Sequence, residues 1–191
     1  MTNHTPLSQA LLVTFIGIAF LTGPACRKTK TKPTAKEQYA SWRKAIKNKR
    51  CGALYGLIDE KSRWAVMSLV RDARATADLI RKHYPKSRQR GALARVRPAD
   101  ETSPKEWLTH YCRTRKLLET LAPLGLPPKT KEKKGSRLEV VTAEGREVVF
   151  LRDKYGRWGC NALYDLLKRE QIRMANILKI TKENASQFKQ D

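Results

Sequence analysis

The four cysteines are the residues of this chain that could form disulfides, bind a metal or act as nucleophiles. They are Cys26, Cys51, Cys112 and Cys160. There is no CxxC motif and no Cys/His spacing typical of a zinc site, so disulfide bonding or burial as reduced thiols is expected. For the three thiols after Cys26, in an oxidising compartment, we predict a Cys112–Cys160 disulfide and one free cysteine. Burial of all three as reduced thiols stays an alternative.

Histidine and carboxylate side chains form no catalytic constellation in the sequence. His83 and His110 are predicted to be surface or cap residues. Asp59 is predicted to cap a helix, and Asp153 is predicted to lie in a turn. No GxSxG, HExxH or glycine-rich phosphate loop occurs. We therefore name no catalytic residue, metal ligand or cofactor, and the sequence favours a protein without enzymatic activity.

An uncharged apolar stretch opens the chain. Residues 1–25 contain no Asp, Glu, Lys or Arg, and the run Leu11–Thr22 is followed by the small-residue stretch Gly23-Pro24-Ala25. About 12 apolar residues are too few to cross a bilayer of about 30 Å as a helix. They are typical of the core of an export signal that is cut after small residues. The sequence therefore predicts a signal peptide over 1–25, cut between Ala25 and Cys26.

The segment ending at Cys26 resembles the leader of a bacterial lipoprotein. The resemblance implies that Cys26 becomes the first mature residue and takes a diacylglyceryl group on its sulfur. Acyl chains on that cysteine would hold the protein in a membrane of the cell envelope, facing the periplasm or the outer face. Ordinary cleavage at 23–25 without a lipid, and an uncleaved anchor, stay open as alternatives.

Basic residues dominate the chain after this leader. The 191 residues include 40 Lys and Arg against 18 Asp and Glu, which gives a net charge of +22. Such a surplus favours anionic lipid or cell-wall polymer as a partner, although a solvated surface can also carry it. Residues 26–35 are predicted to be a basic tether, and Lys129–Arg137 a basic linker. The predicted contacts with an anionic surface are Arg27, Lys28, Lys30, Lys32, Lys131, Lys133 and Lys134.

Apolar residues at helical spacing occur in the first two thirds of the mature chain. Tyr39, Trp42 and Ile46 recur at steps of three and four and predict one amphipathic helix. A second helix is predicted over 62–84, followed by a basic loop over 85–102 in which Gly91–Val96 could form a helical turn. The predicted inward face of this second helix consists of Trp64, Met67, Val70, Ala73, Ala77, Ile80 and Tyr84.

A capping box and a change of period divide the rest of the chain. Ser103-Pro104-Lys105-Glu106 predicts the start of a third helix. Alternation then predicts an antiparallel meander of three strands: 138–142, 147–151 and 157–160. A terminal helix and a polar tail over 181–191 follow. The predicted fold class is α+β, a single domain over 36–180, with helices packed on one face of the sheet to bury Trp42, Trp64, Trp107 and Trp158.

Parts of this pattern resemble the cystatin-like, nuclear-transport-factor-two-like domains. The resemblance rests on Tyr39-Ala-Ser-Trp42-Arg-Lys-Ala-Ile46, on 53–59, on Ser62-Arg63-Trp64-Ala65 and on the closing hairpin Asp153–Trp158. It implies an α+β cone of helices against a curved sheet. No residue of this chain matches a catalytic position of that family, and the fold by itself supplies no function.

These observations favour a non-catalytic lipoprotein of the cell envelope, a binding or scaffolding module at an anionic surface. Its expected partners are a membrane, reached through the lipid on Cys26, and anionic lipid or cell-wall polymer. One alternative is a small-molecule binder or cyclase-like enzyme that uses a pocket in the cone. A second is a cytoplasmic nucleic-acid-binding protein, although no nucleic-acid-binding signature supports it and no nucleic-acid partner is expected.

Overall fold

The computed structural model describes residues 32–188, which contain seven helices and a four-stranded antiparallel sheet. The helices are α1 (Ala35–Lys47), α2 (Leu54–Leu57), α3 (Glu60–His83), α4 (Lys86–Ala94), α5 (Pro104–Thr114), α6 (Leu117–Thr120) and α7 (Tyr164–Gln187). The strands are β1 (Pro128–Lys134), β2 (Arg137–Thr142), β3 (Glu147–Arg152) and β4 (Trp158–Cys160). The predicted α+β class, with an antiparallel meander and a C-terminal helix, is confirmed. The predicted signal peptide, its cut site and Cys26 lie outside the described residues.

The first predicted helix is α1, which contains the whole predicted apolar stripe. Thr34 and Glu37 make a capping box that starts α1. Tyr39, Trp42 and Ile46 are all buried, as predicted. Trp42 and Tyr39 each meet the ring of Phe150 in β3 edge-on, with centroid distances of 6.3 and 5.8 Å. These aromatic contacts fix α1 against the sheet.

The sheet contains one more strand than predicted, because the predicted linker at Lys129–Arg137 is mostly β1. Its strands follow the chain order β1-β2-β3-β4. The two-residue turn Gly135-Ser136, with Gly135 at φ +56°, reverses the chain into β2. Lys131 and Lys133 extend over the rings of Tyr39 and Trp158, with Nζ 5.5 and 5.8 Å from the centroids. The ammonium groups of these two lysines thus lie over aromatic rings, and the segment that carries them is a paired strand instead of a free linker.

The second predicted helix exists, but the prediction of which residues face inward is partly wrong. Trp64 is 59% exposed and Met67 is 42% exposed. Ala65, Val66 and Leu69 are buried in their place, because the buried stripe of α3, whose main partner is α7, lies beside the predicted one. The predicted residues Val70, Ala73, Ala77 and Ile80 are buried as expected. The other three predicted core tryptophans, Trp42, Trp107 and Trp158, are buried as expected.

Two regions are more ordered than the sequence indicates. The predicted basic loop at 85–102 contains α4, which buries none of its own residues. The predicted polar tail continues α7 to Gln187, with Thr181 and Ala185 buried. Phe188 then meets the ring of Tyr84 at 4.9 Å. The packed unit therefore extends beyond the predicted boundary at 180.

The unit Lys32–Asp191 contains every described element, its own core and its own helix caps. Burial of a core of this kind is the main driving force for folding. We therefore expect a chain beginning at Arg27 to fold without the first 26 residues, and the experiments on soluble protein below use that chain.

Candidate functional site

A concave surface lies where α1 and α5 end side by side. After α1, the chain turns through Lys49, whose backbone is left-handed at φ +49°. The Lys49 N–H donates to the Ile46 carbonyl at 3.1 Å, and the Arg50 N–H donates to the Ala45 carbonyl at 2.8 Å. These two bonds make a Schellman motif, in which the left-handed position is usually glycine. A lysine therefore occupies a position that costs a side-chain residue about 1 kcal/mol.

The end of α5 shares the left-handed position and the first of these two bonds. Lys116 follows the cap residue Arg115 with a left-handed backbone at φ +50°, and its N–H donates to the Arg113 carbonyl at 3.2 Å. Within the described residues, Lys49 and Lys116 are the two that are not glycine and have positive φ. Both helix ends thus present a lysine from a backbone conformation that side chains rarely adopt.

A disulfide joins the two helix ends. Cys51, in the short turn Cys51–Ala53 after α1, is bonded to Cys112 in α5, with Cα atoms 5.7 Å apart. The predicted Cys112–Cys160 pairing is therefore wrong. Cys160 is free and lies in β4, where its carbonyl accepts a hydrogen bond from the Asp59 N–H at 2.9 Å. Strand pairing holds Cys160 beside Ile58 and Asp59, while α5 packs on the turn that carries Cys51.

The free thiol is expected to be inert in the folded protein. Cys160 is completely buried. Burial raises the pKa of its thiol far above the usual value; a hydrogen bond from the Ala162 backbone lowers this pKa in part, and the Asp59 charge raises it again. A thiolate is the reactive form of cysteine, so iodoacetamide at pH 8 should leave Cys160 unmodified.

Intact mass measures this expectation on the chain 27–191. The native protein should gain no adduct. The protein unfolded without reductant should gain one adduct, at Cys160, because Cys51 and Cys112 are bonded to each other. A native adduct at Cys160, or protection of Cys160 after unfolding, would contradict the burial and the pairing.

Between the two helix ends runs a groove of about 730 Å³, here called the cationic groove. The disulfide contributes to its wall. Its other apolar lining residues include Ile46, Leu118, Leu126 and Pro127. Its basic lining residues are Arg43, Lys47, Lys49, Arg113 and Lys116. Among the described residues, Glu119 is the one carboxylate that lines it.

Direct contacts between α1 and the turn Ala122–Gly125 hold one wall of the cationic groove in place. Arg43 Nε donates to the Gly125 carbonyl at 3.1 Å, and the Tyr39 hydroxyl donates to the Leu126 carbonyl at 3.1 Å. Burial raises the pKa of the Tyr39 phenol, while the nearby Arg43 charge lowers it in part. Gly125 lies so close to α1 that a Cβ there would be 2.8 Å from Ile46 Cγ2.

Most of the basic residues of the cationic groove have no carboxylate partner in the described part of the chain. Lys47, Lys49, Arg113 and Lys116 are exposed and form no ion pair with any residue between 32 and 188. Five cations against one carboxylate leave a positive field beside an apolar surface. Clefts with one sign of charge and low-dielectric walls concentrate that field and attract ligands of opposite charge.

The predicted surface lysines lie elsewhere and already have partners. Lys32 Nζ donates to the Tyr155 carbonyl, and Lys131 and Lys133 lie over aromatic rings. Lys134 pairs with Glu132 at 2.9 Å, and this hydrogen bond and charge raise the pKa of its ammonium. The remaining predicted contacts, Arg27, Lys28 and Lys30, lie outside the described residues. The structure does not bring any of the described four into the cationic groove.

The side chains considered for catalysis have structural roles. Asp59 caps α3 by accepting the Ser62 N–H at 3.1 Å. Asp153 accepts the backbone N–H groups of Tyr155 and Arg157 in the predicted turn. Burial alone would raise the pKa of Asp153, but these bonds and the Arg157 charge together lower it. His110 Nε2 lies 3.3 Å from the Thr114 hydroxyl on α5. Between residues 32 and 188, no cluster of His, Cys, Asp and Glu could hold a metal ion.

Comparison of the chain with protein-family models, with curated proteins and with solved structures found no match. The geometry of the site therefore carries the functional argument. The helices between residues 32 and 188 include none that is both long enough and apolar enough to cross a membrane.

Proposed function

We propose that the protein is a non-catalytic binding module of the cell envelope, anchored by a lipid on Cys26 and directed at an anionic surface. The observation that carries the proposal is the set of unpaired cations, Lys47, Lys49, Arg113 and Lys116, grouped beside apolar surface. The Cys51–Cys112 disulfide supports an extracytoplasmic location, because structural disulfides persist mainly in oxidising compartments. The apolar leader that ends before Cys26 supports the same location.

The anchor is tested in cells with the full chain. A bacterial host expressing the wild type and the Cys26→Ser variant is fed a clickable palmitate analogue and then fractionated. We expect label on the wild type in the membrane fraction and none on the variant. Equal labelling of the two forms, or no label on either, would exclude a lipid on Cys26.

The anionic surface is tested with the soluble chain 27–191. Its co-sedimentation with phosphatidylglycerol vesicles should fall steeply between roughly 50 and 300 mM salt, because mobile ions screen exposed charges. Phosphatidylcholine vesicles are the matched neutral surface and should retain little protein. Binding that ignores both salt and lipid charge would contradict an electrostatic contact.

The second candidate function, binding of a small molecule, is favoured by one observation. The cationic groove has a volume within the range of about 300–1,000 Å³ that is usual for ligand sites, and it combines apolar lining with a few polar groups. It lies between α1, α5 and α6, away from the sheet face where the cone pocket was expected. The groove at the helix ends therefore supports this second candidate better than a pocket in a cone does.

A further inference from the structure

We infer that the cationic groove binds one amphiphile, with its acyl chain on the apolar lining and a phosphate headgroup among Lys49, Lys116 and Arg113. The inference deepens the proposed function by naming a ligand class, and it relies on that function only for the ligand's location in the envelope. The inference starts from the chemistry of the lining. An apolar wall without charge would suit a neutral chain, and a cluster of cations without an apolar wall would suit a free anion. The cationic groove has both features, so it suits a molecule that has both a chain and an anionic head.

The apolar part of the cationic groove is large enough to take a chain. Ile46, Leu118, Leu126 and Pro127, with the disulfide, form the main apolar lining of the cationic groove, whose whole volume is about 730 Å³. The hydrogen bonds from Tyr39 and Arg43 fix the wall that carries Leu126, so that this space exists before any ligand arrives. A site formed in advance avoids the ordering cost that otherwise reduces affinity.

The charged part matches a phosphate better than a carboxylate. The five basic residues exceed Glu119 by four charges on the lining. A phosphate monoester carries about −1.5 to −2 charges at pH 7, against −1 for a carboxylate. Arg113 additionally offers a guanidinium, whose planar fork can bond two phosphate oxygens at once. A phosphate monoester headgroup therefore offsets more of the surplus positive charge than the carboxylate of a fatty acid would.

The left-handed lysines are the observation that separates a ligand role from ordinary helix capping. Basic residues at a helix C-terminus are favourable because that end carries about half a negative charge. Lys44 and Lys47 in the last turn of α1, and Arg113 in the last turn of α5, already provide this compensation. Lys49 and Lys116 add further charge at positions where glycine would be less strained. Backbone strain of this kind is found preferentially at functional sites.

The test uses isothermal titration calorimetry of the chain 27–191 with ligands below their critical micelle concentration. The probe is monododecyl phosphate. Dodecyl maltoside has the same chain with a neutral head, and inorganic phosphate has the charge without the chain. We expect saturable one-to-one binding of monododecyl phosphate, at least about tenfold tighter than either comparison ligand. Equal affinity for the maltoside would reduce the site to an apolar patch, and equal affinity for inorganic phosphate would reduce it to an anion site; either result overturns the inference.

The variants are Lys49→Gly and Lys116→Gly, singly and together. The double variant should bind monododecyl phosphate about tenfold more weakly, because hydrogen bonds to charged groups are among the stronger ones. Each single variant should also melt about 2–4 °C higher, and the double variant about twice as much, because the strain at positive φ is removed at one or at two positions. If the lysines have only a structural role, the glycine variants will melt higher but bind monododecyl phosphate as tightly as the wild type. That result would overturn the inference.

Lys179→Ala/Lys182→Ala is the matched control. It also removes two lysine charges, but from exposed positions on α7, and α7 does not line the cationic groove. We expect its affinity for monododecyl phosphate to equal that of the wild type. If the control and the double glycine variant weaken binding equally, net charge explains the binding and the inference fails.

Two further outcomes separate this inference from its alternatives. Sedimentation velocity at the calorimetric concentration should give a monomer; a dimer that the glycine variants dissolve would assign the groove to a second copy and overturn the inference. A missing lipid on Cys26 would refute the proposed anchor and leave calorimetric binding intact. Conversely, salt-sensitive vesicle binding without monododecyl phosphate binding would refute the groove ligand and leave the proposed surface contact.

Discussion

Loss of the Cys51–Cys112 disulfide is expected to lower the free energy of unfolding by about 4 kcal/mol, the largest effect of any change considered. The bond closes a loop with a sequence separation of 61 residues. Closing a loop of this length lowers the conformational entropy of the unfolded chain, and this loss corresponds to about 4 kcal/mol at 25 °C. Urea denaturation of the chain 27–191, followed by circular dichroism, measures the difference between wild type and the Cys51→Ala/Cys112→Ala variant.

Reduction of the wild type gives the matched control for this variant. Dithiothreitol should shift the wild-type transition to lower urea concentration and should leave the variant's transition unchanged. The comparison separates the lost cross-link from the small cavities that the alanines create, since both cysteines are buried. A wild-type transition that dithiothreitol does not move would contradict the bond or its contribution.

Gly159→Ala is expected to destabilise the protein by about 3 kcal/mol, the second largest effect. A Cβ on Gly159 would lie 2.5 Å from Asp59 Cα and 2.6 Å from Asp59 N, and it would also meet the Ile58 carbonyl oxygen. All three atoms belong to backbone, which cannot rotate aside as a side chain could. The added methyl would therefore separate β4 from the entry to α3, where Ile58 bridges to Cys160.

Gly91→Ala is the matched control for Gly159→Ala. Gly91 lies inside α4, and a Cβ there would have no atom within 4 Å. Alanine is better than glycine in a helix by about 1 kcal/mol, so this variant should be slightly stabilised. Thermal and urea unfolding of the two variants beside the wild type measure both effects. A Gly159→Ala protein as stable as the Gly91→Ala protein would contradict the close approach of β4 to Asp59.

Features that depend on local sequence could be predicted. The stripe of Tyr39, Trp42 and Ile46, the capping box at Ser103 and Glu106, and the β2–β3 hairpin all form as predicted. Each is determined by residues only a few positions apart, so that spacing and cap chemistry suffice to identify it.

Features that depend on distant contacts could not be predicted. The exposed position of Trp64 follows from how α3 meets α7, which the periodicity of α3 alone does not define. β1 does have a local signal, the two-residue turn Gly135-Ser136, which is typical of a hairpin. Its many lysines are more typical of a loop, but two of them, Lys131 and Lys133, place their ammonium groups over aromatic rings in the folded state.

The candidate site itself had almost no signature in the sequence. Its lining comes from two segments, 43–51 and 112–127, which meet because α5 packs on the turn after α1. The choice of Cys51 as partner of Cys112 would have brought these segments together, but spacing alone cannot select one pairing among three thiols. The left-handed lysines are equally hidden, since a helix end is normally recognised by the glycine that both positions lack.

The disulfide determines what a cut in α4 would do to the protein. α4 buries none of its residues and belongs to the stretch of chain that the Cys51–Cys112 bond closes into a ring. A trypsin cut after Arg88 or Arg90 would open this ring without releasing a fragment. The nicked protein would migrate as one species until a reductant was added and would then separate into two. Such a permanently tied pair of fragments would allow an epitope or a fluorophore to be inserted there while the helix ends stay covalently joined.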